Sequence, residues 1–367
     1  MQAGLAALHA SRIDKLAAPF TRGEGVIFTL HSVHPEPPDA FDPNGVLRIT
    51  PAFLETAIET VRGAGYETVS LDEAARRMKA PRSGRPFACF TLDDGYRDNR
   101  EHAYPVFKKH GVPFAIYVPA AYADGEGDLW WYALEAALRQ GDRLAVSLGE
   151  TAFDFDLASP EDKSRAFHEI YWTLRPRPEK ELRAGVSAVA EAMGYDASTL
   201  CRDLIMDWDE IRAFCDDPLL TVGAHTVNHY AVAKLSVDEA RAEIAGSGAR
   251  IEKELGRPCR HFSFPYGDET SCGPRDFAVA DALGLETAVT THKDVVRTRY
   301  PMTGLPRISL NGHFQEARFL EVMLTGLPFQ LFDAGRAALR ALKAPFRSGA
   351  RETSPAVRAQ HPDAAST

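Results

Sequence analysis

The chain has few cysteines, and their spacing excludes the common cysteine-based sites. Its 367 residues include five cysteines, and no two of them form a Cys-x-x-Cys pair. A small, odd number without that spacing predicts neither a disulfide framework nor a zinc site built from thiolates. Cys89 lies in an apolar run and is expected to pack as a small hydrophobic residue.

The chain also lacks an excess of positive charge. Lysine and arginine number 42 against 51 aspartates and glutamates, which gives a net charge of -9. This balance argues against nucleic acid or an anionic membrane as a default partner. The hydrophobic fraction of 45% is ample for a core, and the length allows one large domain or two ordinary ones.

No hydrophobic run approaches the roughly 18 apolar residues expected of a membrane-spanning helix. Residues 1–10 lack a basic region, and the apolar stretch is interrupted by His9 and Arg12, so no signal peptide is predicted. The simplest expectation is a soluble, cytoplasmic protein, with the oligomeric state left open. Five residues are spaced to form one helix face, for which packing against the core or a neighbour is favoured over light membrane attachment: Leu5, Leu8, Ile13, Leu16 and Phe20.

Predicted strands and helices alternate over about 300 residues, which indicates an α/β fold with a parallel sheet, either open or closed into a barrel. The alternation breaks between about residues 124 and 204, where a segment rich in helix formers predicts a helical insertion. The predicted domains are an N-terminal helical extension at 1–24, a barrel at 25–345 that contains the insertion, and a disordered tail at 346–367.

Two carboxylates stand side by side at the end of a predicted strand. Asp93 and Asp94 follow the apolar run 87–92, and Gly95 follows them. Ionised neighbours repel, so the pair makes sense if a cation binds one carboxylate or if one works as a base. Both can share a site only where the strand gives way to a turn, which Gly95 permits. The alternative is an ordinary turn.

Two imidazoles four residues apart follow another predicted strand. His225 and His229 fall on one face if the segment turns helically. Two histidines and a carboxylate form a ligand set that leaves positions open for water and substrate. A metal there would lower the pKa of bound water toward roughly 7, and the free carboxylate would take the proton. The alternative is a pair of solvated or core histidines.

The separate motifs are expected to meet at one rim, because each follows a predicted strand. In a parallel barrel the chemistry lies at the carboxyl ends of the strands. The aspartate pair, the histidine pair and Pro265-Tyr266 all occupy such positions, and this convergence favours a metal site. His31 also follows a strand, and it either joins this rim or has a structural role.

Three motifs in this order resemble those of the polysaccharide deacetylases of carbohydrate esterase family 4, the NodB homology domain. Residues 91–95 are similar to the T-F-D-D-G motif with Leu92 for phenylalanine, 223–229 to H-[ST]-x-x-H, and 262–267 to F-R-x-P-Y-G. The matched region spans about residues 25 to 310, less the insertion. The resemblance implies an irregular (β/α) barrel with fewer strands than the standard eight.

The resemblance also implies a reaction and the residues that perform it. Asp93 would be the catalytic base, and Asp94, His225 and His229 would hold a divalent metal, usually zinc. The family removes acetyl groups from N-acetylglucosamine-containing sugars, or O-acetyl groups from xylan, so an acetylated saccharide is the expected substrate. Water at the metal attacks the acetyl carbonyl, and the metal and the backbone N–H of Tyr266 stabilise the oxyanion.

The chain departs from the family pattern at two positions. Ser263 stands where many members carry an arginine that orients the base, and a serine cannot pair bidentately with a carboxylate. Arg307, after the last predicted strand, is predicted to supply the guanidinium. The family often uses a histidine in a late Leu-x-His motif as general acid, but residues 310–313 hold one residue too many. His313 is therefore the first candidate and His31 the second.

Three functions follow from these observations. The first is N-deacetylation of a glycan or glycoconjugate, and the second is O-deacetylation or hydrolysis of another amide at the same site. The third is an inactive barrel that binds glycan or serves as a scaffold, which the missing arginine supports and the intact metal and base residues oppose. The aromatic segment 128–132 of the insertion either faces a sugar or lipid or packs against the barrel.

Overall fold

The structure is a computed structural model that describes residues 2–80 and 84–343, with side chains described as far as Leu339. The helices are α1 (Gln2–Ser11), α2 (Ile13–Thr21), α3 (Pro51–Gly63), α4 (Leu71–Lys79), α5 (Tyr104–His110), α6 (Ala120–Ala123), α7 (Trp130–Arg139), α8 (Pro160–Leu174), α9 (Glu179–Ala192), α10 (Leu200–Leu204), α11 (Trp208–Phe214), α12 (Val237–Leu255), α13 (Pro274–Ala282), α14 (Ala317–Leu324) and α15 (Leu327–Lys343). The strands are β1 (Gly25–Leu30), β2 (Ser32–Val33), β3 (Arg48–Ile49), β4 (Glu67–Thr68), β5 (Phe87–Leu92), β6 (Phe114–Val118), β7 (Arg143–Leu148), β8 (Thr151–Asp156), β9 (Leu220–Ala224), β10 (His261–Ser263), β11 (Thr287–Val289) and β12 (Ile308–Ser309).

The central sheet has the strand order β11-β10-β9-β6-β5-β1-β12, and its strand pairs are parallel. A further strand, β4, pairs with the first residues of β5. The segment that leads into β12 links the two outer strands, because Leu305 bridges to Val289 of β11 while Ile308 pairs with Phe28 of β1. The sheet is thereby curled into an irregular (β/α) barrel, and the predicted fold class is confirmed.

Alternate strand residues point into the barrel, and their polarity changes along the strands. On β1 and β5 the inward positions are first apolar and then hydroxylated, in register with each other: Ile27 with Cys89, and Thr29 with Thr91. The next positions at the same spacing are His31 and Asp93. The apolar inner layer therefore supports a polar layer, and the candidate site lies above it at the carboxyl ends of the strands.

The N-terminal helices do not form the single packing face predicted from their apolar spacing. Arg12 has a left-handed backbone with φ of 57°, and it divides the segment into α1 and α2. Leu5 is buried, whereas Ile13, Leu16 and Phe20 are exposed, the last at 87%. The break turns the two halves of the pattern in different directions, so the expectation of core packing is wrong for the second half, while packing against a neighbour stays a prediction.

The insertion at about 124–204 contains the predicted helices and, in addition, an antiparallel hairpin of β7 and β8. The signal for the hairpin was present in the sequence, because Leu144, Val146 and Leu148 alternate with other residues ahead of the turn at Gly149-Glu150. The buried apolar residues of the insertion form a hydrophobic cluster that also includes Phe41, Tyr96 and Tyr122 of the barrel. Its limits, like the boundaries at residues 24 and 345, stay predictions, and the predicted disordered tail lies outside the described residues.

Contacts divide the chain into a large unit, residues 1–330, and a small unit that begins at residue 331. The described part of the small unit is the remainder of α15, on which Leu331, Phe332 and Leu339 are exposed. Among the described helices, none combines the length and the hydropathy that crossing a bilayer requires.

Candidate active site

The three residues predicted as metal ligands meet at the carboxyl ends of β5 and β9. The Oδ1 atom of Asp94 lies 3.4 Å from Nε2 of His225 and 3.1 Å from Nε2 of His229, and all three side chains are buried. Within the described structure, Asp94 Oδ1 and His229 Nδ1 are buried without a hydrogen-bond partner. Buried polar atoms normally have partners, so an unsatisfied carboxylate oxygen that faces the Nε2 atoms of two imidazoles fits a divalent cation.

Electrostatics favours the ionisation states that ligation requires. Burial raises the pKa of the Asp94 carboxyl, but the adjacent His229 and His225 more than offset this effect, so the pKa lies well below its usual value. Burial lowers the pKa of His229 to about 4, although Asp94 acts in the opposite direction. The cluster therefore presents a carboxylate and a neutral imidazole, the forms that bind a metal.

Left-handed backbone conformations concentrate at this site. Asp94, Thr226, His229 and Tyr266 have φ values of 74°, 60°, 55° and 61°. Outside glycine, each such conformation costs about 1–3 kcal/mol and persists only where the surroundings enforce it. The helical turn considered for residues 225–229 is not formed. Two left-handed residues bend the segment instead, and both imidazoles reach Asp94 from a loop.

The loop that carries both histidines, residues 225–229, is called the histidine loop, and Glu243 of α12 holds it in place. Its Oε2 atom accepts hydrogen bonds from the backbone N–H groups of Val227 and Asn228, both at 2.9 Å. Its Oε1 atom accepts a third from Nδ2 of Asn228 at 2.6 Å. One carboxylate therefore satisfies three donors of a loop without regular structure. Sequence reasoning missed this residue, because nothing in its spacing distinguishes it from the other acidic residues of α12.

Asp93 is the centre of a second buried network. Arg307 pairs with it bidentately, with Nη1–Oδ1 at 2.8 Å and Nη2–Oδ2 at 2.6 Å. The guanidinium also donates to Thr91 Oγ1 at 3.0 Å, to Ser263 Oγ at 2.9 Å and to the carbonyl of Thr290 at 2.8 Å. Arg307 is 1% exposed, and its five N–H donors all have acceptors. A buried ion pair is favourable only under that condition.

Arg307 therefore pairs its guanidinium with the Asp93 carboxylate, and Ser263 supports this pair. The Ser263 hydroxyl accepts from Arg307 and lies 3.4 Å from Asp93 Oδ2. The carbonyl of Ser263 accepts from Nδ1 of His225 at 2.7 Å, which directs Nε2 toward Asp94. Burial raises the pKa of Asp93, but the charge of Arg307 more than offsets this effect and holds the pKa below its usual value.

The two candidate general acids differ in their surroundings, although both line the same cavity. His31 is half-buried at the end of β1, and its carbonyl accepts from Nδ2 of Asn99 at 2.7 Å. When protonated, its imidazole also lowers the pKa of both aspartates, after burial and after the stronger effects of Arg307 and His225 on Asp93 and of His229 and His225 on Asp94. His313 is exposed in the loop after β12, and its carbonyl accepts from Nε2 of Gln2 at 2.7 Å.

The insertion packs directly on the site. Nε1 of Trp130 donates to the hydroxyl of Tyr266 at 2.8 Å, and the guanidinium of Arg175 lies 3.8 Å from the Tyr266 ring centroid. The ring of Trp131 lies 5.1 Å from that of His229. Trp130 and Trp131 are both buried, so the aromatic segment packs against the barrel, while Trp131 also lines the cavity.

A second contact joins the insertion to the histidine loop. Glu179 of α9 accepts from the backbone N–H of Ala231 at 3.3 Å and pairs with Nζ of Lys234 at 3.0 Å and with Nη1 of Arg183 at 2.5 Å. Burial raises the pKa of Glu179, but Arg183 and Lys234 more than offset it, so the pKa is lowered. The insertion and the residues after His229 are therefore connected by a buried, charged contact.

The site opens into a cavity of about 540 Å³. One side of the cavity is the rim of the barrel with the candidate metal and base residues, and another side is α8 of the insertion. The rim residues are His31, Asp93, Asp94, His225, His229, Tyr266 and His313, and the α8 residues are Ser164, Phe167, His168, Tyr171 and Trp172. The volume lies in the usual range of small-molecule sites.

Comparisons with known proteins agree with this geometry. The family model for polysaccharide deacetylases matches residues 81–288, more than half of the chain. The curated relative YxkH of Bacillus subtilis (strain 168), named for the same family, is 32% identical over 73 residues, and the match spans 20% of this chain and 26% of that protein.

Solved structures show the same fold at low sequence identity. The Streptococcus pyogenes deacetylase PplD in complex with acetate has a TM-score of 0.54 at 16% identity, with 82% of this chain and 97% of that chain covered. IcaB from Ammonifex degensii has a TM-score of 0.50 at 17% identity, with 82% and 98% covered. At these identities the likeness establishes the fold alone.

Proposed function

Because the chain belongs to the polysaccharide deacetylase family, we propose that it is a metal-dependent hydrolase acting on carbon–nitrogen bonds. Its substrates would be N-acetylglucosamine-type sugars of a polysaccharide, oligosaccharide or glycoconjugate, from which it removes N-acetyl groups. The observation that carries this proposal is the placement of two separate carboxylate networks side by side. Asp94 faces two histidines, and Asp93 faces a buried arginine.

We assign Asp94, His225 and His229 to the metal, with zinc as first choice and other divalent ions as alternatives. A bound cation supplies Lewis-acid polarisation and lowers the pKa of water toward roughly 7. The protein fixes the ligand geometry through the Ser263 carbonyl on His225. This contact is the type of outer hydrogen bond that orients metal-binding histidines.

Asp93 is proposed as the general base. It is held ionised by Arg307, and the bidentate pair fixes the plane of its carboxylate. Because its plane is fixed, the carboxylate is already oriented to take the proton of the attacking water, and no conformational freedom has to be lost at that step. The backbone N–H of Tyr266 is proposed to donate to the developing oxyanion, at a residue whose left-handed conformation is enforced by its surroundings.

For the general acid we place His31 ahead of His313, which reverses the order derived from the motif. His31 is half-buried, its backbone is held by Asn99, and in its protonated form it acts electrostatically on both aspartates. His313 is exposed, so a proton donor there would exchange with solvent more readily. The acid would protonate the amine that leaves when the carbon–nitrogen bond breaks.

Acetate release is the measurement that tests the proposed function. The zinc-loaded protein should release acetate from N-acetylated chitooligosaccharides, and a chelator should abolish the release. Faster release from O-acetylated xylan would favour the esterase alternative. A wild type that neither binds a divalent metal nor releases acetate from any sugar would favour the glycan-binding or scaffold alternative. The cytoplasmic location stays a prediction, which cell fractionation tests.

A further inference from the structure

One face of α8 lines the cavity. Its residues are spaced by three and four, which places them on the same side of the helix: Ser164, Phe167, His168, Tyr171 and Trp172. They form two rows of different exposure. The inner row, Phe167 and Tyr171, is buried or half-buried. The outer row, Ser164, His168 and Trp172, is exposed and extends over about 12 Å at the rise of an α-helix.

Trp172 differs from the other tryptophans of the chain. It is 57% exposed, whereas Trp130, Trp131 and Trp208 are buried. Its ring centroid lies 5.1 Å from that of Tyr171 and 6.2 Å from that of His168, and both contacts are edge-to-face. Such contacts restrict the ring at the cavity wall. An accessible aromatic ring in the wall of a ligand-sized cavity offers apolar area to a bound ligand.

Among the residues that the structure describes, the lining of this cavity includes no lysine or arginine. The carboxylates of this described lining are Asp93 and Asp94, which belong to the proposed reaction chemistry. A phosphate, sulfate or uronate group at the α8 wall, away from the proposed metal, would therefore find no lysine or arginine to compensate its charge. A neutral ring with apolar C–H faces and hydroxyl edges suits the wall better, because the indole face attracts C–H hydrogens while His168 and Ser164 offer hydrogen bonds.

We infer that the outer row of α8, centred on Trp172, is a subsite for a second, neutral sugar ring next to the acetylated ring at the metal site. This inference rests on the proposed function and names its substrate class. The substrate would be an uncharged oligosaccharide or glycan chain of at least two rings. Monosaccharides would lack the second contact, and anionic glycans would carry an uncompensated charge into the cavity.

Binding to a silenced holoenzyme tests the subsite without depending on turnover. Zinc-loaded Asp93→Asn protein is titrated with N-acetylglucosamine, with di-N-acetylchitobiose and with a hyaluronan tetrasaccharide, and intrinsic tryptophan fluorescence and calorimetry are recorded. The disaccharide should bind more tightly than the monosaccharide. Adding Trp172→Ala should weaken disaccharide binding by about 2- to 10-fold and leave monosaccharide binding unchanged. Trp172→Phe should retain part of the difference in affinity between the disaccharide and the monosaccharide.

Phe20→Ala is the matched control, because it removes an exposed aromatic ring far from the cavity lining and should change no affinity. Equal disaccharide affinity with and without Trp172 would overturn the subsite. Trp172-dependent binding of an alkyl glycoside of N-acetylglucosamine in preference to the disaccharide would overturn it in favour of an apolar aglycone. Tight binding of the hyaluronan fragment would contradict the requirement for a neutral ligand.

The outcome also separates the subsite from the proposed function. If the wild type releases acetate but Trp172→Ala has no effect on disaccharides, the function stands and the subsite fails. If no sugar yields acetate while disaccharide binding depends on Trp172, the subsite stands and the deacetylase proposal fails.

Discussion

The barrel rim and the insertion contribute different chemistry to the same cavity. The rim supplies carboxylates, imidazoles and a buried guanidinium, each held by neighbours within 2.6–3.4 Å. The insertion supplies a neutral aromatic face, part of which is exposed. The cluster that holds the apolar residues of the insertion differs from the main cluster of the barrel, although it also includes Phe41, Tyr96 and Tyr122. This division suggests that reaction chemistry and substrate selection are carried by different parts of the chain.

The two parts are nevertheless joined at identifiable contacts. Trp130 and Arg175 hold Tyr266, and Glu179 holds the loop that follows His229. The insertion therefore contributes to the position of rim residues as well as to the cavity wall. Substitutions on either side should separate the two contributions.

Among the rim residues other than the two aspartates and the histidine ligands, the largest effect is expected at Arg307. Arg307→Ala leaves Asp93 buried without its partner, so turnover should fall by about 10²-fold through loss of orientation, while zinc binding is little changed. Breaking a buried pair also costs about 3–5 kcal/mol of stability, so circular dichroism must verify folding. Arg307→Lys keeps the charge without the bidentate pair and should recover only part of the activity.

A relocated guanidinium makes this prediction sharper. The double variant Arg307→Ser with Ser263→Arg moves the guanidinium to the position where the family motif has it, and should be more active than Arg307→Ser alone. Steady-state acetate release measures both variants. Unchanged turnover in Arg307→Ala would contradict the proposal that Arg307 orients Asp93.

The next effect concerns the two candidate general acids. His31→Ala should lower turnover by about 10²-fold, within the range for loss of general acid catalysis, whereas His313→Ala should have a much smaller effect. Turnover measured at saturating disaccharide compares them directly. The opposite order of effects would restore His313 as the acid.

A smaller effect is expected at Glu243, which holds the histidine loop without touching a ligand atom. Glu243→Gln replaces one acceptor oxygen, and zinc affinity should fall by about 10-fold, as for other outer contacts of metal sites. Calorimetric zinc titration checks this expectation. Asp238→Asn, at an exposed position of the same helix, is the control and should bind zinc like the wild type.

The smallest effect on turnover is expected at Glu179, where stability changes instead. Its lowered pKa means that the native state stabilises the charged form, so this contribution is present above its usual pKa and lost as the pH falls through the lowered value. Glu179→Gln keeps a polar side chain but loses hydrogen bonds to charged groups, which should cost about 2 kcal/mol at pH 7 and less below about pH 4. Urea unfolding at several pH values measures the difference, with exposed Glu181→Gln as control. If the difference in unfolding free energy between the wild type and Glu179→Gln increased at low pH, the stabilising role of the charged Glu179 would be contradicted.

Sequence alone predicted those parts of the site whose signal is local. Asp93, Asp94, His225 and His229 lie in short motifs directly after strands, and the need for a guanidinium pointed to Arg307. These predictions rest on residue types that the chemistry requires, so they could be made without knowing how the chain packs.

Other features depend on tertiary packing and had no comparable signal. Glu243 acts because α12 lies against the histidine loop. The loop itself uses left-handed residues in place of a helical turn, since Glu243 satisfies its backbone. Trp172 is accessible only because α8 turns one face to the cavity, and helical spacing alone does not say which face that is.

The central claim is that the two adjacent aspartates have separate tasks, and paired zinc titrations test it most directly. Asp93→Asn should bind one zinc with affinity near that of the wild type, while turnover falls by about 10³-fold. Asp94→Asn should lose zinc binding and activity together. If Asp93→Asn stays active, or if both variants lose zinc equally, the division of tasks between Asp93 and Asp94 is wrong.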